Sequence, residues 1–381
     1  MEGIYLDAAA TTPVKPEVAE AVKKMMTAEF GNPSSLHGLG VKAEKEVKKA
    51  RTRVAKSIKA RENQIIFASG GTEANNLALS GLNKPGGHSV TAQIEHPSVL
   101  EVFRELERQG QEVDYLGVDS CGYINLTELE KKLTLDTRLI SIAMVNNEIG
   151  TIQKLEEIIK ITREKAPQAL IHTDAVQAWG RIPLDVQKLR VDALTLSAHK
   201  MGGPKGVGAL FIRRPELLKP LLQGGGQEDG LRSGTENTPG IVGMGIAVTL
   251  LPPRGKMSSL EKVKESFYKE LKKQLPKLKR VGPEEGEGVP HILNLSFPGF
   301  PAQVLVQALS EEGVFVSAGS ACSTRKEEVS YVLKALGLQE KVLRGAVRFS
   351  FPEDFSDEGI QEASRRVINV FKRMEKVMGN V

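Results

Sequence analysis

The sequence predicts an α/β protein with a large domain on a mainly parallel sheet of seven strands, followed by a smaller α+β domain. Three observations carry this expectation. Between about residues 60 and 215, short β-branched runs alternate with helical patterns of roughly a dozen residues, as βαβ units require. Leu251-Pro252-Pro253-Arg254-Gly255 then breaks the alternation and marks a boundary. Finally, 381 residues exceed one ordinary domain of about 150.

The expected strands of the first part cover 65–68, 89–94, 112–116, 139–145, 170–173, 193–197 and 208–212. Between them lie helices over 72–81, opened by a Gly-Gly turn, over 97–108, with Pro97 at its first position, and over 155–165. After the boundary come a helix over 260–275 closed by Pro276, a strand over 292–297 and a helix over 302–311. A strand over 314–317, a helix over 329–336, a strand over 346–351 and a final helix from Asp357 follow.

Composition excludes several classes. A hydrophobic fraction of 40% and a charged fraction of 26% are those of ordinary globular proteins, not of collagen, low-complexity or disordered chains. No internal repeat points to a solenoid. Two cysteines, Cys121 and Cys322, cannot make a disulfide framework, and no CxxC pair offers a zinc or dithiol site, so both are read as free thiols. The net charge of +5 is spread along the chain, and no direct nucleic-acid binding is expected. The start, Met1-Glu2-Gly3-Ile4-Tyr5-Leu6-Asp7, has neither a basic cluster nor an apolar run, and no stretch reaches the ~18 apolar residues of a membrane span. A cytoplasmic protein without membrane association is the expectation.

Open parallel sheets bind ligands beyond the carboxyl ends of their strands, where loops and helix N-termini converge. After the first strand, Ser69-Gly70-Gly71-Thr72-Glu73-Ala74-Asn75 offers backbone N–H groups at a helix start, a phosphate cradle without the Lys of a P-loop. Gly38-x-Gly40-x-x-Ala43 follows no strand and is set aside as a nucleotide motif. Glu95-His96-Pro97, Asn146-Asn147-Glu148-Ile149-Gly150 and Asp174-Ala175-Val176-Gln177 end three further strands, and Ser197-Ala198-His199-Lys200 ends another. Taken singly, Asp174 reads as a helix cap and Lys200 as a solvated lysine. Taken together, an imidazole, a carboxylate, an amide, a phosphate cradle and a lysine answer the parts of pyridoxal phosphate (PLP), whose protein partners are a Schiff-base lysine and an acidic group at the pyridinium nitrogen.

These motifs resemble those of the NifS/IscS-type cysteine desulfurases, a branch of the class V aminotransferases among the fold-type I PLP enzymes related to aspartate aminotransferase. The resemblance covers nearly the whole chain. It includes Tyr5-Leu6-Asp7-Ala8-Ala9-Ala10-Thr11-Thr12-Pro13, Gly31-Asn32-Pro33-Ser34-Ser35-Leu36-His37, the strand-end motifs above and Arg232-Ser233-Gly234-Thr235. Its most diagnostic part is Ser317-Ala318-Gly319-Ser320-Ala321-Cys322-Ser323. The resemblance implies a large PLP domain over 13–251 and a small domain over 1–12 and 252–381 that carries the cysteine loop.

It also implies roles. Lys200 carries PLP, Asp174 holds the protonated ring nitrogen, Gln177 bonds the ring hydroxyl and His96 stacks on the ring. Gly71, Thr72, Ser197 and His199 hold the phosphate, with Thr235 reaching in from the other subunit of a homodimer. Asn147 and Arg348 take the substrate carboxylate, for which a guanidinium fork is suited. Lys200 and His96 move protons while the Cys322 thiolate attacks the sulfur of L-cysteine, leaving L-alanine and a persulfide. The sulfur acceptor would be an iron–sulfur scaffold or a tRNA-thiolation protein. Cys121 matches no motif and is left as a structural residue. The segment Thr324-Arg325-Lys326-Glu327-Glu328-Val329 is more charged than the family pattern, and the chain reaches Val381 without the extension some members use for docking, which leaves the docking partner open. A selenocysteine lyase or kynureninase-like enzyme, and a non-catalytic PLP or partner-binding member, stand as the alternatives.

Overall fold

The computed structural model describes residues 3–252, 254–319 and 330–378. Cys322 and the expected helix start at Val329 lie outside these residues. The chain opens with β1 (Ile4–Tyr5), α1 (Pro16–Thr27) and α2 (Gly38–Ser57). The large sheet and its helices follow as β2 (Ile65–Ala68), α3 (Gly71–Leu82), β3 (His88–Ala92), α4 (Pro97–Arg108), β4 (Val113–Leu116), α5 (Leu126–Lys132), β5 (Thr137–Ser141), α6 (Leu155–Lys165), β6 (Leu170–Asp174), α7 (Val186–Leu189), β7 (Ala193–Ser197) and β8 (Gly208–Ile212). After α8 (Thr238–Thr249) come α9 (Arg254–Gln274), β9 (Lys279–Val281), β10 (Ile292–Ser296), α10 (Ala302–Glu311), β11 (Val314–Phe315), α11 (Tyr331–Ala335), α12 (Glu340–Arg344), β12 (Ala346–Ser350) and α13 (Asp357–Met378).

The seven-stranded sheet has the order β2-β8-β7-β6-β5-β3-β4. All pairs are parallel except β2 with β8 and β8 with β7. Two antiparallel steps in succession restore the direction of β2, so its carboxyl end emerges on the same edge as those of β3, β5, β6 and β7. That edge is where the site forms. Both faces are buried, which explains the nearly continuous apolar strands. Alternate residues serve opposite faces: Leu194 and Phe211 join one core cluster, and their neighbours Ala193 and Leu210 join another.

A separate core belongs to the second part of the chain. The antiparallel sheet β12-β10-β9 packs Leu295, Phe297, Phe349 and Phe351 with Phe267 of α9 and Phe371 of α13, and the rings of Phe267 and Phe349 lie 5.2 Å apart. Leu6, beside β1, also belongs to this cluster, because β1 pairs in parallel with β11.

Several expected boundaries move for local reasons. The strand expected over 139–145 ends at Ser141, since the Ala143 N–H turns to Glu95 Oε1 at 2.8 Å and the chain folds back so that Val145 bridges Ile152. The strand expected to reach Ile94 ends at Ala92, where the Glu95 N–H turns back to the Ala92 carbonyl. The strand expected over 314–317 stops at Phe315, yet Ser317 still exchanges two backbone hydrogen bonds with Arg348, at 3.2 and 2.7 Å. The long helix begins at Arg254, ahead of the expected residue 260.

Candidate active site

At the carboxyl edge of the large sheet lies a cavity of about 260 Å³ lined by Ala9, Ala10, Gly71, Thr72, Asn75, His96, Ser98, Asn147, Asp174, Gln177, Ser197, His199, Lys200 and Arg348, among others. Ten of the residues singled out in the sequence therefore share one space: Gly71, Thr72, His96, Asn147, Asp174, Gln177, Ser197, His199, Lys200 and Arg348. Two do not. Thr235 is exposed and lines a different concavity with Glu228, Arg232 and Ser69, and Cys322 lies outside the described residues.

Lys200 follows β7 in a short turn closed by Gly202, whose φ of 81° favours glycine. Its Nζ donates to the carbonyls of Ala9 and Ala10 at 2.6 and 2.7 Å. Arg181, itself 4% exposed, donates to the Lys200 carbonyl at 3.2 Å and fixes the backbone from behind. The N-terminal segment is locked to the same turn, with Thr12 Oγ1 donating to the His199 carbonyl at 2.9 Å and accepting from Gly202 N–H at 2.8 Å.

Asp174 ends β6 and is buried. Its Oδ1 accepts from the Val176 N–H at 2.9 Å and its Oδ2 from Asn75 Nδ2 at 2.8 Å. No helix starts here, so Asp174 is not the helix cap its position suggested: the segment after β6 is a turn that its Oδ1 closes, and the carboxylate is held in the cavity wall. Gln177 donates through Nε2 to the Ala9 carbonyl at 2.9 Å, and its Oε1 lies 3.2 Å from Nε2 of buried His291. Burial, with Arg181, Lys264, Arg348 and Lys200 around it, holds the His291 pKa well below the usual range, so the neutral ring donates to Gln177.

His96 caps α4. Its Nδ1 accepts from the Ser98 N–H at 3.1 Å and faces Ser98 Oγ at 2.7 Å. Burial lowers its pKa, Asp174 opposes that effect and Lys200 reinforces it. A neutral ring accepting at Nδ1 carries its proton on Nε2. His199 is pushed down to about 4 by burial and by the charges of Lys200 and Lys205, so it too is neutral. Glu95, wholly buried beside His96, is pushed up to about 8, mainly by desolvation, against the hydrogen bond from Ala143 and with the repulsion of Asp174.

The cradle is built by close packing. A Cβ on Gly71 would lie 3.0 Å from Val176 Cγ2 and 3.7 Å from Ser197 Cβ, so that helix start stands directly against the ends of β6 and β7. Ser197 Oγ is buried there with no hydrogen-bond partner among the described residues. Arg348 on β12 is 1% exposed, donates to Asp7 Oδ1 at 2.7 Å and to the Asn147 carbonyl at 2.9 Å, and keeps a buried Nε without a partner among the described residues. Orphaned donors at a helix N-terminus and on a buried guanidinium fit a ligand with one phosphate and one carboxylate. The residues present thus fit PLP with an amino-acid substrate.

Residues not singled out in the sequence also shape the cavity. Asn75 lies one helical turn beyond Gly71, a spacing that puts both on one face. Ala9 and Ala10 stood in a quoted motif without a role, and Ser98 and His291 carry no sequence signal of their own, because backbone carbonyls and tertiary hydrogen bonds leave no spacing. Cys121 is a half-buried turn residue, its N–H bonded to Asp119 Oδ1 at 2.9 Å and its carbonyl accepting from Thr151 Oγ1 at 2.6 Å. Among the described residues no cluster of three or more His, Cys, Asp or Glu could hold a metal, and no helix is long and apolar enough to cross a membrane.

Residues 4–362 match the class-V aminotransferase family, and the chain belongs to it. Within that family it belongs with the IscS/NifS-type cysteine desulfurases. It is 43% identical over 353 residues to the cysteine desulfurase IscS of Dictyoglomus turgidum, covering 91% of this chain and 89% of that protein. To the cysteine desulfurase IscS of Methanosarcina thermophila it is 40% identical over 382 residues, covering 99% and 94%. Among solved structures, a NifS-like protein superposes with a TM-score of 0.90 at 36% identity over 97% of this chain and 100% of that one. SspA in complex with cysteine gives 0.81 at 36% identity, covering 92% and 99%.

Proposed function

We propose that the protein is a PLP-dependent cysteine desulfurase that converts L-cysteine to L-alanine and carries the sulfur as a persulfide on Cys322. The observation that supports this reading most is the gathering of Lys200, Asp174, His96, Ser197 and Arg348 around one cavity from three strand ends and the second core. Bound there, PLP supplies an electron sink conjugated to the substrate α-carbon.

The chain's own residues do the rest. Lys200 Nζ, steered by the Ala9 and Ala10 carbonyls, holds the cofactor and moves the substrate α-proton. Asp174 stabilises a proton on the ring nitrogen by its fixed negative charge. Ser197 Oγ, Thr72, His199 and the N–H groups at Gly71 bind the phosphate, and Gln177 the ring hydroxyl. Arg348 and Asn147 orient the substrate carboxylate. Neutral His96 presents its Nε2–H as the acid–base group. The thiolate of Cys322 forms the new S–S bond as the substrate Cβ–S bond breaks. The bonding pair stays with carbon, which is then protonated to give alanine.

In this reading two copies assemble as a homodimer in which Thr235 of each chain completes the partner's phosphate site. The persulfide passes to an acceptor protein in the cytoplasm, an iron–sulfur scaffold or a tRNA-thiolation protein. The test is direct: the purified protein should be yellow and release alanine and, under reductant, sulfide from L-cysteine. Lys200→Ala should be colourless and inactive. Covalent PLP retained by that variant would contradict the assignment of Lys200.

A further inference from the structure

The side-chain amide of Asn75 has two hydrogens, and both are committed. Nδ2 donates to Asp174 Oδ2 at 2.8 Å and to Ser98 Oγ at 2.8 Å. Asn75 is 1% exposed, so water does not substitute for either bond. The opposite orientation would set the Oδ1 lone pairs against the Asp174 carboxylate, and the charge of Asp174 therefore fixes which way the amide points. Oδ1 is left buried with no hydrogen-bond partner among the described residues. An unsatisfied buried acceptor is costly, and the orientation tolerates that cost because the amide makes both donor bonds.

The consequence reaches His96. Because Ser98 Oγ accepts from Asn75, its own hydrogen is free for His96 Nδ1, 2.7 Å away. The Ser98 N–H points at the same nitrogen at 3.1 Å. With two donors on Nδ1, the ring proton of neutral His96 is on Nε2. The backbone donor alone makes Nδ1 an acceptor, and the order carboxylate, amide, hydroxyl, imidazole supplies the second donor.

We infer that Asn75 is a positioning residue that, held by Asp174, aims the Ser98 hydroxyl at His96 Nδ1 and so reinforces the Nε2–H tautomer and the orientation of the ring. The inference rests on the PLP reading of the site and adds to it a physical link between the group that stabilises the ring nitrogen and the group that moves protons. It explains why a buried amide stands one turn into the cradle helix, where an apolar side chain would pack without leaving an orphan acceptor.

The test uses holoenzyme with 15N-labelled histidine and two variants. Ser98→Ala cuts the chain between amide and imidazole and leaves the bond to Asp174. Asn75→Ala cuts both. In the wild type the His96 nitrogens should report the Nε2–H tautomer. In Ser98→Ala the His96 signals and the inflection of the kcat/KM pH profile should move, kcat should fall roughly tenfold, as expected for one lost hydrogen bond, and PLP affinity should stay within about twofold. Asn75→Ala should show the same His96 changes and also weaken PLP binding by roughly tenfold or more. Ser98→Thr, which keeps the hydroxyl, should restore the wild-type signals. If His96 signals and pH profile stay at wild type in both variants while only thermal stability falls, the relay is wrong and Asn75 merely packs. If Asn75→Ala does not fold, Ser98→Ala and Ser98→Thr decide alone. A wild-type protein that binds no PLP would overturn the proposed function itself, an outcome separate from these.

Discussion

Glu95 shows how a single buried group records the price of the site. The neighbouring His96 must face the cavity, so the strand end carries Glu95 into a buried wall where, among the described residues, the Ala143 N–H is the one donor to its carboxyl. Its pKa rises from 4.5 to about 8. The unfolded chain therefore ionises Glu95 first as pH rises, the folded protein binds more protons than the unfolded one across that window, and stability falls with pH. Below about 4.5 both states are protonated and the effect vanishes. Glu95→Gln should abolish this slope: denaturant melts at pH 5, 6.5 and 8 should show the wild type losing a few kcal/mol relative to the variant, at up to ~1.4 kcal/mol per pH unit. A difference that is constant with pH would show that Glu95 is ionised in the folded state. At this scale the sequence identified the strand-end residues whose chemistry is distinctive, Lys200, Asp174 and His96. It was silent on Ser98 and His291 and gave Asn75 no role beyond its place in the cradle motif, because their roles exist only through tertiary contacts.

At the scale of elements, the cradle depends on how closely β8 passes the turn before α3. A Cβ on Gly208 would sit 2.7–2.8 Å from the backbone of Gly70 and from the Leu196 carbonyl. These are backbone atoms and cannot step aside. Gly208→Ala should therefore displace the Ser69–Gly71 turn, lower stability by about 1–3 kcal/mol, as overpacking does, and weaken PLP binding in the apoprotein more than it weakens the fold elsewhere. Unchanged cofactor affinity would show that the turn moves without opening the cradle. Strands such as β2, β7 and β8, and helices α4, α6 and α10, were legible with their ends because apolar runs and helical periodicity mark them, with Pro97 at the start of α4. Helix α8 was not legible: buried residues such as Ile241, Met244 and Ala247 run along it without an exposed polar face, so periodicity gives no amphipathic signal. The short edge strand β9, rich in Lys and Arg, hides its pairing for the opposite reason.

Across the whole molecule, the two cores meet through charge as well as packing. Glu353, just beyond β12, pairs with Arg181 at 3.2 Å and with Lys15 at 3.0 Å, and Arg181 in turn holds the Lys200 carbonyl. Removing the anion would leave buried Arg181 without its counter-ion, so Glu353→Gln should cost about 3–5 kcal/mol in denaturant unfolding. A loss below ~1 kcal/mol would mean that solvent reaches the pair. Arg348 makes the second link, bringing a cation from the smaller sheet into a cavity built by the larger one. Its partners Asp7 and Asn147 are hundreds of residues away in the chain, which is why the fold class could be read from local patterns, while Arg348 beside Asn147 was expected only from the family resemblance and its bond to Asp7 not at all.

The central claim is that sulfur leaves L-cysteine onto Cys322. A single turnover of the yellow wild-type protein with 35S-labelled L-cysteine, quenched and analysed by peptide mass spectrometry, tests it most directly. One alanine should form per labelled sulfur, with that sulfur on the peptide containing Cys322, and Cys322→Ala that still binds PLP should give no labelled peptide and no steady desulfuration. Label on Cys121 instead, or wild-type rates of alanine formation in Cys322→Ala, would contradict it.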